Sequence, residues 1–262
     1  MSFSQAQYEA AVNKVVNGGN DLSAKIQQIP PAANSAMDHW YIPGFIKDAI
    51  RWLAEKMVDL ATWILDKIIE LLKGAVAPIR MFVDSFEWQD IRGLASGVSG
   101  RLKDTALQVD DAWRGVARDS YVRAIPPQSN AADRIAKIAD KVHTSLTVCA
   151  VAGLAFYVAL GVIVVKFIAA TVTAIAAFGT AVLSWAGAAL IVEEAGVNSG
   201  LIIAAVTTLT ALLGAQATQM GVLHGESIDA GLFPGGRWPD PATGTYSDGT
   251  VRDGDADWSL RR

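Results

Sequence analysis

Residues 142–192 read VHTSLTVCAVAGLAFYVALGVIVVKFIAATVTAIAAFGTAVLSWAGAALIV, and Lys166 is the one formal charge among them. On either side of that lysine, segments 142–165 and 167–192 run 24 and 26 residues without a charge unless His143 protonates. About 18–20 apolar residues suffice for a membrane-crossing helix, so both exceed the threshold. A third charge-free segment, 195–223, is marginal, with its apolar core at 200–215. The block is rich in Ala, Gly and Thr, which dilutes each residue's contribution to insertion. The alternative is therefore a helix that is apolar all round because it forms the centre of a soluble bundle. Lys166 marks either a turn between two spans or a side chain snorkelling from a span's end. Glu193 and Glu194, followed by GVNSG, read as the next polar loop. These three residues are the membrane-interface candidates. Gly153, Gly161, Gly179 and Gly187 favour close helix packing within the block.

Working outward, the segment from Phe45 to Ala75 reads as one long amphipathic helix. Ile46, Ile50, Leu53, Met57, Leu60, Ile64, Ile68, Leu71 and Ala75 recur at steps of three or four, the period that gathers them on one face. Pro78 is expected to kink or end it. Ahead of it, a short helix is expected around Ala6, Ala10, Val12, Val15 and Val16, stopped by Gly18–Gly19. A second short segment is expected to end at Pro30–Pro31, and Pro43–Gly44 closes a loop. A further helical stretch spans about Ser85–Asp111, with Leu94, Val98 and Leu102 as apolar positions. Gly93, Gly97 and Gly100 there form a small-residue strip suited to a close neighbour. Ser129 and Asn130 read as N-caps of the helix that enters the apolar block. The expected fold is all-α: a long-helix bundle or hairpin, an apolar helical hairpin and a disordered C-terminal tail. Its expected parts are short helices and loops at 1–43, an amphipathic region at 44–143, apolar transmembrane helices at 144–223 and a flexible acidic tail at 224–262.

Charge and composition narrow the function. Charged residues are 18% of the 262, against about 25% in an ordinary soluble domain, and mean hydropathy is +0.29. With a net charge of −4 and no basic block, the chain lacks the electrostatic footprint of a nucleic-acid binder. One cysteine, Cys149, excludes an internal disulfide and a cysteine-based zinc site. No nucleophile elbow, phosphate loop or zinc-protease motif is present. Asp253, Asp255 and Asp257 have the first spacings of a calcium loop, but its twelfth position falls beyond Arg262. No catalytic, metal or cofactor-binding residue is assigned, and an enzyme is not expected. The N-terminus has no apolar core of the kind that marks a Sec signal peptide.

Between the two amphipathic stretches lies QVDDAWRGVARDSYVRAI, residues 108–125. Trp113 and Gly115 interrupt two helical patterns, with small Ala117 following and Tyr121 six residues after the glycine. Over about residues 85–143 the sequence resembles the WXG family, the helical-hairpin substrates of type VII (ESX) secretion. The resemblance implies that Trp113, Gly115 and Tyr121 form the structural motif of a hairpin turn. It further implies a non-enzymatic actinobacterial-type secreted substrate or effector whose partner is a WXG-type protein or a second copy of itself, while the apolar block adds a lipid bilayer as partner. Two departures stand against the family pattern. Pro126–Pro127 breaks the second arm early, and no tyrosine is followed four positions on by an acid, the family's export signal. The expected location is the membrane or cell envelope, with secretion by a non-Sec route. The alternatives are a resident integral membrane scaffold or immunity protein, and a soluble helical interaction module.

Overall fold

A computed structural model describes residues 3–40, 42–103, 118, 121–123, 125–178 and 185–239. Of residues 185–196 and 198 it describes the backbone alone. The described residues are all-α, without a strand. In chain order the helices are α1 (Gln5–Ile26), α2 (Ile29–Met37), α3 (Gly44–Leu72), α4 (Ala77–Arg101), α5 (Pro126–Phe178) and α6 (Trp185–Ser227), followed by a 3-10 turn at Pro234–Gly236. They form two compact units. The first comprises residues 1–82 and 148–214, the second 83–147 and 215–262. Helices α4, α5 and α6 each contribute to both, so the expected four-part division along the chain does not correspond to these units.

The first unit is built around α5. Tyr8, Val15 and Leu22 of α1, Ala61, Ile64 and Ile68 of α3, and Leu154, Leu160 and Val164 of α5 meet in its larger core. A second cluster joins Ile29, Ala33 and Ala36 of α2 to Ile50, Leu53 and Met57 of α3 and to Ala174 and Phe178 of α5. Ile50, Leu53, Met57, Ile64 and Ile68 belong to the stripe that the 3.6-residue period predicts for α3.

Glycine and proline behave differently from expectation. Helix α1 runs through Gly18–Gly19 instead of stopping there. A Cβ on Gly18 would lie 2.4 Å from Val164 Cγ1, so the missing side chain is what lets α1 reach α5. The close approach offsets the helix propensity lost, about 1 kcal/mol per glycine. Pro30 and Pro31 open α2 rather than ending a segment, since the first helical positions need no backbone donor. Pro126 and Pro127 likewise open α5, whose first turn folds onto Ile125: Gln128 N–H donates to Ile125 O at 2.9 Å. The cap is therefore not at Ser129 or Asn130. Pro78 lies in the first turn of α4 and fills the space at Gly153, where a Cβ would come 2.4 Å from its Cγ. The break between α3 and α4 falls earlier, in the turn at 73–76.

Candidate functional site: apolar outer faces and a helical hairpin

In the first unit α5 has two apolar faces. The inner one carries Ala150, Leu154, Tyr157, Leu160, Val164, Phe167, Thr171 and Phe178, all buried. Its outer face carries Ala155, Val158, Val162, Val165, Ala169 and Val172, alternating at steps of three and four. Val158 is 48% exposed and Val162 43%. The part of α6 in this unit is still more open. Ile202 is buried, while Leu201, Ile203 and Leu213 face outward. Among the described residues, two helical stretches are long and apolar enough to cross a membrane, 121–178 and Ser199–Ser227. Half of the first one's most apolar window is buried inside the protein, against 6% of the second's.

Three exposed threonine hydroxyls on these faces bond within their own helices. Thr173 Oγ1 donates to Ala169 O at 3.0 Å, Thr207 Oγ1 to Ile203 O and Thr208 Oγ1 to Ala204 O, each at 2.9 Å. A hydroxyl returned to the carbonyl four residues back needs no water. Lys166 is exposed on the outer side of α5, twelve residues before its end. The helix passes through it without interruption, so the expected turn between two spans does not lie there. The polar loop expected at Glu193–Glu194 is also absent: α6 is helical through both. A loop needs a helix stop, and charge alone provides none.

The inner face of α5 is fastened at the α3–α4 corner. Tyr157 Oη donates to Leu71 O and Tyr8 Oη to Ala75 O, both at 2.6 Å. Leu71 O lies in the last turn of α3, where it also accepts from Gly74 N–H at 3.2 Å, and Ala75 O lies in the turn that follows. The two rings meet edge to face with centroids 5.4 Å apart. Burial, then the adjoining Tyr157, pushes the Tyr8 hydroxyl above its ordinary value of 10. Sequence reasoning missed this pair. A tyrosine inside a charge-free run was the available signal, because a buried phenol needs an acceptor.

In the second unit α4 and α5 run antiparallel. Ser129 Oγ donates to Ser99 O at 3.1 Å, Arg92 pairs with Asp140 at 3.4 Å, and His143 Nδ1 lies 2.8 Å from Ser85 O. Within the first unit, Pro78 meets Gly153 and Leu71 meets Tyr157. The midpoint of every pair falls between residues 114 and 116. Trp113 and Gly115 themselves lie outside the described residues. Tyr121 is half-buried and helical.

Helix α4 is turned opposite to expectation. Ser85 and Ser99 are buried, whereas Val83, Phe86, Leu94 and Val98 are exposed, Leu94 by 73%. A Cβ at Gly93, Gly97 or Gly100 would meet nothing within 4 Å, so the small-residue strip admits no close neighbour. Among the described residues no group of three or more His, Cys, Asp or Glu could hold a metal ion. Cys149 is buried. Asp253, Asp255 and Asp257 lie outside the described residues. No family model, curated protein or solved structure matches the chain.

Proposed function

We infer that the chain is a non-enzymatic, membrane-interacting protein whose α5 and α6 present their outer faces to lipid. The observation that carries this reading is the outer surface of those helices. It is apolar, the hydroxyls of Thr173, Thr207 and Thr208 on it are bonded internally, and Lys166 is the one charge on the α5 face between Val148 and Phe178. A bilayer accepts such a surface, whereas water does so at a cost of about 25 cal/mol per Å². Amphipathic α1–α3 cover the other face of α5, with the aliphatic stem of Lys14 lying against it at Gly161.

The route to the membrane is proposed to be type VII secretion of a WXG-like substrate or effector. The support is the pairing of α4 with α5, whose midpoint in sequence coincides with the Trp113–Gly115 motif. The exposed apolar row on α4 suits a WXG-type partner or a second copy, and a carrier partner would supply the export signal absent from this sequence.

Two measurements test the two halves. Full-length protein is expected to float with phosphatidylcholine vesicles, and Val162→Glu to reduce the floated fraction. Recovery of the wild type wholly in the aqueous fraction refutes the membrane reading. Deleting the host's type VII ATPase is expected to abolish the extracellular pool. An unchanged pool refutes the export reading and leaves a resident membrane protein.

A further inference from the structure

Within the second unit, a groove of about 410 Å³ opens between α4 and α5. Its walls carry four cations, Arg92, Arg134, Lys137 and Lys141, against one acid, Asp140. Arg134, Lys137 and Lys141 follow each other at steps of three and four, so α5 presents them on one side. Opposite, α4 contributes Gly93 and Ser96, which leave room: a Cβ at Gly93 would meet nothing within 4 Å.

The cations are engaged unequally. Lys137 holds Asp133 at 2.6 Å and Lys141 holds Glu226 at 2.9 Å, both tight pairs. The two guanidiniums are held loosely. Arg92 stands 3.4 Å from Asp140 and Arg134 stands 3.6 Å from Glu226, beyond the 2.7–2.9 Å of a charge-assisted hydrogen bond. Arg134 Nε is buried without a hydrogen-bond partner. Counting Asp133 and Glu226 with the walls still leaves one positive charge in excess. Guanidinium donors with unused capacity, facing a roomy groove of positive charge, match the planar bidentate recognition of an oxyanion.

We propose that this groove is a phosphate-type oxyanion site, with Arg92 and Arg134 as the primary donors and Lys137 and Lys141 as supporting charge. The oxyanion has two possible sources, the headgroup of an anionic phospholipid or free phosphate. Lys141 immediately precedes the charge-free segment 142–165, which sets the groove beside the apolar stretch of α5 in the chain. The lipid source rests on the membrane reading above; the oxyanion site itself does not.

The test uses the full chain, with inorganic phosphate in one arm and vesicles of phosphatidylglycerol or phosphatidylcholine in the other. Each cation near an anionic surface strengthens binding about fivefold. Arg92→Gln with Lys137→Gln is therefore expected to lower the preference for phosphatidylglycerol by about tenfold or more, and to abolish phosphate binding by calorimetry. Asp140→Asn, which removes the groove's own acid, is expected to raise both severalfold. Lys56→Gln with Lys67→Gln removes equal charge from exposed sites on α3 and is expected to change them less than about twofold. Circular dichroism checks that each variant is folded. Phosphate binding without a lipid preference supports the site with a soluble ligand, and a lipid preference lost in the double variant supports the headgroup. Equal affinity for both vesicles with no phosphate binding overturns the proposal. So does equal weakening by the α3 control, which would reduce the effect to general surface charge. Failure to bind either vesicle counts against the membrane reading alone, and the phosphate arm still decides the site.

Discussion

Gly18 and Gly19 are neighbours in one helix, and alanine is expected to act oppositely at the two. Replacing a helical glycine by alanine gains about 1 kcal/mol of propensity at either position. What differs is the space. At Gly19 the new Cβ would lie 3.5 Å from Ile68 Cγ2, an ordinary van der Waals contact, so the gain is kept. At Gly18 it would lie 2.4 Å from Val164 Cγ1. Reaching normal contact requires a retreat of about 1 Å, and a β-branched valine in a helix has one strongly preferred rotamer, so it has little freedom to turn away. Overpacking of this kind costs about 1–3 kcal/mol. Gly18→Ala is thus expected to be about 1–3 kcal/mol less stable than Gly19→Ala, and Gly19→Ala to equal or exceed the wild type. Urea unfolding of the three proteins, followed by far-ultraviolet circular dichroism in one buffer, measures both differences. Gly18→Ala as stable as Gly19→Ala would refute the argument that the glycine is there to admit α5.

Tyr8→Phe removes the donor to Ala75 O and is expected to cost about 0.5–1.5 kcal/mol at neutral pH. Because the folded chain holds the Tyr8 proton above the ordinary value of 10, its stability is full below about pH 10 and falls as pH rises further. The gap between wild type and Tyr8→Phe in urea unfolding should therefore narrow from pH 8 to pH 11, and a constant gap contradicts the assignment. Lys166→Leu removes a charge that costs about 2.5–3.5 kcal/mol at a bilayer centre, so partitioning into phosphatidylcholine vesicles should strengthen at least about tenfold. Unchanged or weaker partitioning would mean that this face of α5 does not meet lipid.

The period of α3 was legible because burial there follows a stripe that local sequence sets. Five of the apolar residues that define the stripe, Ile50, Leu53, Met57, Ile64 and Ile68, are buried in the structure. In α1 the expected apolar positions were largely the wrong ones. Val15 is buried, but Tyr8, Ala11, Gly18, Gly19 and Leu22 form the rest of its inner face. Glycine misled because its local cost and its tertiary use carry the same letter. Gly18 reads as a stop until Val164, 146 positions away in the chain, is seen against it. Proline misled for a related reason, since the residue that breaks a helix interior also suits its first turn. Lys166, Glu193 and Glu194 show that a charge in an apolar run need not end the helix that carries it. The all-α class and the apolar block were readable from composition and period. The tyrosine fastening, the groove between α4 and α5 and the outward turn of α4 depend on which helices meet, and no local pattern records that.

The tyrosine fastening also constrains how the first unit can be made. Tyr8 and Leu71 each depend on residue 157, and the core around Val15, Leu22, Ile64 and Ile68 is completed by α5 residues as far along as Phe167. A ribosome that has passed residue 82 must still add 85 residues before Phe167 exists. At 5–20 residues per second this takes roughly 4 to 17 s. For that interval α1–α3 have their apolar faces formed but uncovered, so the nascent chain is a client for whatever holds hydrophobic segments as they emerge.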